Sequence, residues 1–85
     1  MKELIEENYK SIVKRGLITP ETTKQEFRSK LLEEVGEYQL ASMVGLQNER
    51  EELADIILVC LNIARHHEID IEQELKNKIE INKNR

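Results

Sequence analysis

Four stretches of the chain repeat apolar residues every three or four positions, the spacing of one helix face, and none alternates as a half-buried strand would. The first covers residues 2–15, with Leu4, Ile5, Tyr9, Ile12 and Val13 in phase, and Gly16 stands where a left-handed cap would close it. Leu17 and Ile18 form a short connection, and Thr19-Pro20 reads as an N-cap with proline in the first turn of a second helix. That helix is expected from about residue 20 to 44, with Gly36 in its middle, read as the close approach of a neighbouring helix, and Gly45 at its end. Asn48, with Glu51 three residues later, reads as the capping box of a third helix that runs to about His67. Its Leu53, Ile56, Ile57, Leu58, Val59, Leu61 and Ile63 surround almost the whole circumference. A helix apolar on all sides is enclosed on all sides. Three other short helices can scarcely do that, so a second subunit is expected against it. Asp70, with Gln73, reads as the cap of a fourth helix whose Ile71, Leu75, Ile79 and Ile81 are expected to face inward.

The expected fold is therefore all-α: one domain over residues 1–85, a four-helix bundle completed by oligomerisation as a homodimer or homotetramer. The totals agree. Apolar residues make up 39% and charged ones 35%, with only 4% aromatic, one proline and three glycines, a mix that suits helices and not sheet. A chain of 85 residues buries a modest share of its surface, so association would help it. The net charge of −4 argues against a nucleic-acid backbone as partner. An anionic ligand would have to bring a metal or meet a local cluster of Lys and Arg. The single cysteine, Cys60, permits no internal disulfide and fits a reducing compartment; it reads as a small core residue. The acidic start lacks a signal-peptide core, and the longest apolar run, Leu53 to Ala64, is broken by Asp55 and Asn62 and too short to span a bilayer. A cytoplasmic location with no membrane partner is the expectation.

One carboxylate breaks the amphipathic pattern. At 100° per residue with Phe27 as zero, Leu31, Val35, Tyr38 and Ala41 lie between about 320° and about 80°, and Glu34 falls at about 340°, inside the apolar stripe. A lone carboxylate buried there would be driven to take up a proton, so it needs a cation. Glu37 shares its face, and Glu52 and Asp55 form a second pair spaced three apart. Glu34 and Glu37 precede Gly45 by eight to eleven residues, and Glu52 and Asp55 follow it by seven to ten. Antiparallel packing about the Gly45-Leu46-Gln47 link brings both pairs to one height. Four hard oxygen ligands suit Mg²⁺ or Mn²⁺ over zinc. The ordinary alternative is a solvated acidic face, common on charged helices.

With the acidic residues on the page, Lys30-x-x-Glu33-Glu34-x-x-Glu37 followed by Glu52-x-x-Asp55 resembles the signature of the MazG-like nucleoside triphosphate pyrophosphohydrolases, an all-α superfamily. The likeness continues through Glu51-Glu52-Leu53-Ala54-Asp55-Ile56-Ile57-Leu58, Glu68-Ile69-Asp70-Ile71 and the tail Lys78-x-x-x-Asn82-x-x-Arg85, covering residues 24–85. The first helix and its loop match only in kind. The resemblance implies Mg²⁺-dependent hydrolysis between the α- and β-phosphates of a nucleoside triphosphate, giving monophosphate and pyrophosphate. It implies Glu34, Glu37, Glu52 and Asp55 as metal ligands, with Glu33 and Glu34 in the chemistry; Glu33 orients or deprotonates the water, or is a solvated neighbour. Lys30 meets phosphate or pairs with a carboxylate. Lys78 and Arg85 are phosphate contacts or a basic helix end that suits the dipole. Asn82 meets base, sugar or phosphate.

The remaining polar residues carry less. His66 and His67 diverge by about 100° and make a poor chelating pair, so they read as surface or interface residues. Asn62 is a buried hydrogen-bonding group near the site or an interface contact. Tyr38 reads as core before base-stacking platform. Alternative activities are a phosphoribosyl-ATP pyrophosphatase or dUTPase-like reaction on the same scaffold, or a non-catalytic, metal-stabilised helical dimerisation module. No residue ranks bases or sugars.

Overall fold

The computed structural model describes residues 1–85, apart from the side chain of Leu46. Four helices follow in order: α1 (Lys2–Lys14), α2 (Lys24–Val44), α3 (Leu46–His66) and α4 (Ile71–Lys83); among the described residues there is no strand. The all-α expectation holds at that level.

α1 ends as its sequence predicts. Gly16 takes φ 75°, its N–H bonds the Val13 carbonyl at 2.9 Å, and the Leu17 N–H bonds Ile12 at 3.2 Å. These are the two bonds of a Schellman cap, which needs a left-handed residue at this position. The end of α3 repeats the device without a glycine: Glu68 at φ 57°, its N–H to Arg65 at 3.3 Å and the Ile69 N–H to Ala64 at 2.8 Å.

α2 starts later than expected. Thr19 and Pro20 belong to a turn in which the Thr22 N–H bonds the Thr19 carbonyl at 3.0 Å and the Glu21 N–H bonds Thr19 Oγ1 at 3.2 Å. Thr23 is the N-cap: its Oγ1 accepts from the Glu26 N–H and Glu26 Oε1 accepts from the Thr23 N–H, both at 3.1 Å. A reciprocal box satisfies two orphan donors, whereas Pro20 at the first position satisfies none, so the box sets the boundary. The link from α2 to α3 is one residue, Gly45, at φ 155° and ψ 155°, a region open in practice to glycine alone. α3 accordingly begins at Leu46 with no side-chain cap, and the expected Asn48–Glu51 box lies inside the helix. At α4, Asp70 accepts from the Gln73 N–H at 3.1 Å, but Gln73 turns its amide to Asn77 instead of closing the box.

α3 is the central element, packed against α2 along one side and α1 along another. Ile18, Phe27, Ala41, Val59, Leu61 and Ala64 form the buried core. Three expectations about packing are corrected. Cys60 is exposed, beside exposed Leu53 and Ile57, because neither α1 nor α2 covers that side of α3. Gly36 has no atom within 4 Å of where a Cβ would sit, so no helix approaches it within the chain. α4 packs on no other helix to any extent: Ile71 is half-buried, but Leu75, Ile79 and Ile81 are 43%, 53% and 53% exposed. His66 and His67 pack within the chain, edge-on to Phe27 at 4.8 and 5.8 Å, and Tyr9 Oη lies 2.9 Å from His66 Nδ1.

Candidate metal and phosphate site

The α2–α3 hairpin brings the two acidic pairs together. Oxygens of Glu34, Glu52 and Asp55 lie within 4.8 Å of one another, and so do oxygens of Glu33, Glu34 and Glu37. Glu34 belongs to both groups. It is 6% exposed, which is what its place in the apolar stripe demands. Glu34 Oε1 is 3.0 Å from Lys30 Nζ, one turn earlier, while Glu34 Oε2 is buried with no partner. Glu52 Oε2, on the facing helix, is buried and unpartnered as well.

A buried carboxylate oxygen without a donor costs free energy, and two of them facing across one hairpin cost more. Glu37 registers the crowding. The carboxyl of Glu34, within hydrogen-bonding reach, pushes the Glu37 pKa up to about 7, with Glu52 adding to the effect. Like charges at this range cannot all ionise freely. Lys30 offsets part of the charge; its own pKa is raised, chiefly by its hydrogen bond to Glu34. It also reaches Glu33 at 3.5 Å, so of its two expected roles the structure places it on carboxylates. Glu33 is exposed. Orphaned oxygens, hard donors and short mutual spacing fit a metal ion at Glu34, Glu52 and Asp55, with Glu37 beside Glu34 in the second group.

Lys30, Glu33, Glu34 and Asp55 line a cavity of about 720 Å³ whose other lining residues come from α1, α2, α3 and the segment between α1 and α2. Its walls also include Leu58, Val59, Asn62, Asn8 and Arg15. Asn62 is 7% exposed and accepts a 2.8 Å hydrogen bond from Asn8 Nδ2. Of its two readings, the buried group near the site is the one realised within the chain. Tyr38 is half-buried at the other end of the hairpin, where its hydroxyl donates to Glu49 at 3.4 Å.

Lys78, Asn82 and Arg85 are all exposed, on or just past α4, and do not line this cavity. In the other direction, the sequence reading passed over Asn8. A signal existed: Asn8 stands three residues after Ile5 and four before Ile12, interrupting an apolar face as Glu34 does.

Comparison of the chain with protein-family models, with curated proteins and with solved structures finds no match.

Proposed function

We propose that this protein is a Mg²⁺-dependent hydrolase of (deoxy)nucleoside triphosphates, releasing the monophosphate and pyrophosphate in the cytoplasm, with a role in cleansing the nucleotide pool. The observation that carries the reading is the meeting of Glu34 with Glu52 and Asp55, and with Glu33 and Glu37, with two buried, unpartnered oxygens beside an open cavity. The MazG-like arrangement of acidic residues supports it. When bound, Mg²⁺ or Mn²⁺ supplies positive charge that offsets the triphosphate and the charge developing at phosphorus.

The chain's own groups do the rest. Glu34 and Asp55, which line the cavity, set where the phosphates sit, and Glu37 and Glu52 complete the ligand set behind them. Water forms a new P–O bond as the bridging bond between the α- and β-phosphates breaks. Glu33, exposed next to Glu34, takes the proton of that water, and pyrophosphate leaves with the bond electrons. Lys30 is free to turn from carboxylate to phosphate as the site fills. Lys78 and Asn82 on α4 and Arg85 just past it, which do not line the cavity within one chain, contact substrate when a second copy of the chain covers the apolar side of α4.

The test is pyrophosphate release from a panel of triphosphates with Mg²⁺. Glu37→Gln is expected to lower turnover at least about a hundredfold while the helical signal is retained. No release from any triphosphate by the wild-type assembly would remove the reading. The uncovered apolar sides of α3 and α4 favour one second reading, a dimerisation module whose metal serves stability alone. Metal stabilises either protein, by about 2.7 kcal/mol at a hundredfold excess over Kd, so turnover separates them.

A further inference from the structure

The cavity has two chemically different ends. Asn62 follows Asp55 by seven residues on α3, which places it about 10 Å along the helix and within about 20° of the same face. Between them on α3 the lining is Leu58 and Val59, while α2 and the segment before it add Thr22, Thr23, Gln25 and Ser29. The Asn8–Asn62 amide pair, joined by a 2.8 Å hydrogen bond, lines the cavity there together with Arg15.

An amide carries two N–H donors and one carbonyl acceptor. After the mutual bond, Asn62 retains its NH₂ and Asn8 its carbonyl. Exchanging oxygen and nitrogen in both amides leaves the same inventory, one donor group beside one acceptor. Every nucleobase offers a matching donor beside an acceptor on its pairing edge, and proteins read unpaired bases along that edge. The spare donor and acceptor of such a pair are open to a ligand's polar edge.

We propose that Asn8 and Asn62 form the base-reading end of this cavity, with Leu58 and Val59 flanking the sugar and base, and that the ligand class is a nucleoside triphosphate lying along α3. This rests on the reading of the carboxylate cluster as the metal and phosphate end. It assigns α1 a part in substrate choice.

The test compares two ligands in Mg²⁺: a non-hydrolysable nucleoside triphosphate, and inorganic tripolyphosphate, which carries the charge without the base. The full chain is expected to bind the nucleotide at least about tenfold tighter than tripolyphosphate, the value of one good hydrogen-bonded contact. Asn62→Leu, and independently the half-buried Asn8→Ala, remove about tenfold of that advantage and leave tripolyphosphate affinity unchanged. An advantage kept in both variants overturns the assignment, as does an equal loss of both ligands, which would mean that the pair only holds the fold. Wild-type protein that binds tripolyphosphate as well as nucleotide overturns the assignment alone. Protein that binds neither overturns the hydrolase reading with it.

Discussion

Glu34 is the residue on which the site turns. Its side chain belongs to both carboxylate groups, and one of its oxygens has no partner inside the chain. The strain is felt at Glu37, whose pKa rises to about 7. A carboxylic acid with a folded-state pKa above its unfolded value binds more protons folded than unfolded, so stability falls as pH rises between the two values. In chelator, the protein is therefore expected to lose thermal stability between about pH 4.5 and pH 7, with Mg²⁺ restoring it at the upper end. Melting curves across that range check the sign; stability that climbs with pH in chelator would contradict it. Glu34 was legible in the sequence because a charge in phase with Phe27, Leu31 and Tyr38 sits poorly with the ordinary alternative of a solvated acidic face. Asn8 was equally out of pattern, but a lone amide in a stripe draws less notice than a charge. Cys60 was misplaced because residue type alone does not say which side of a helix its neighbours cover.

At the scale of elements, number and order followed from apolar periodicity, and the errors were at the ends. Thr19-Pro20 and Thr23-x-x-Glu26 are both start signals, and the reciprocal hydrogen bonds of the second prevail. The α2–α3 turn was shorter than expected because Gly45 alone makes the break, at backbone angles that other residues avoid. The register of the acidic pairs depends on it. Gly45→Ala is expected to cost about 1–3 kcal/mol. Gly36→Ala, in the middle of a helix with open space around it, is expected to add up to about 1 kcal/mol. Denaturant melts of the two variants check both signs; a loss at position 36 would mean that another chain lies against it.

The molecule as a whole leaves much apolar surface uncovered. Leu53 and Ile57 on α3, Leu32 and Met43 on α2, and Leu75 and Ile79 on α4 are all exposed, where contiguous patches mark association. The all-round apolar sequence of α3 leaves Leu53 and Ile57 exposed in the single chain; the standing-off of α4 was not foretold, because its spacing shows one apolar side but not what meets it. Light scattering is expected to give a dimer or tetramer, and Ile57→Glu with Ile79→Glu to shift it toward monomer; a wild-type monomer at micromolar concentration would contradict this. No helix among the described residues is long and apolar enough to cross a membrane, so the patches are not spans. The central claim is that the α2–α3 hairpin holds a divalent ion between its carboxylates. Calorimetric titration of the chelator-stripped protein with Mn²⁺ tests it most directly. Saturable binding that disappears in Glu34→Gln and in Glu52→Gln, with both variants folded, is the predicted result; no binding, or binding indifferent to both substitutions, would contradict it.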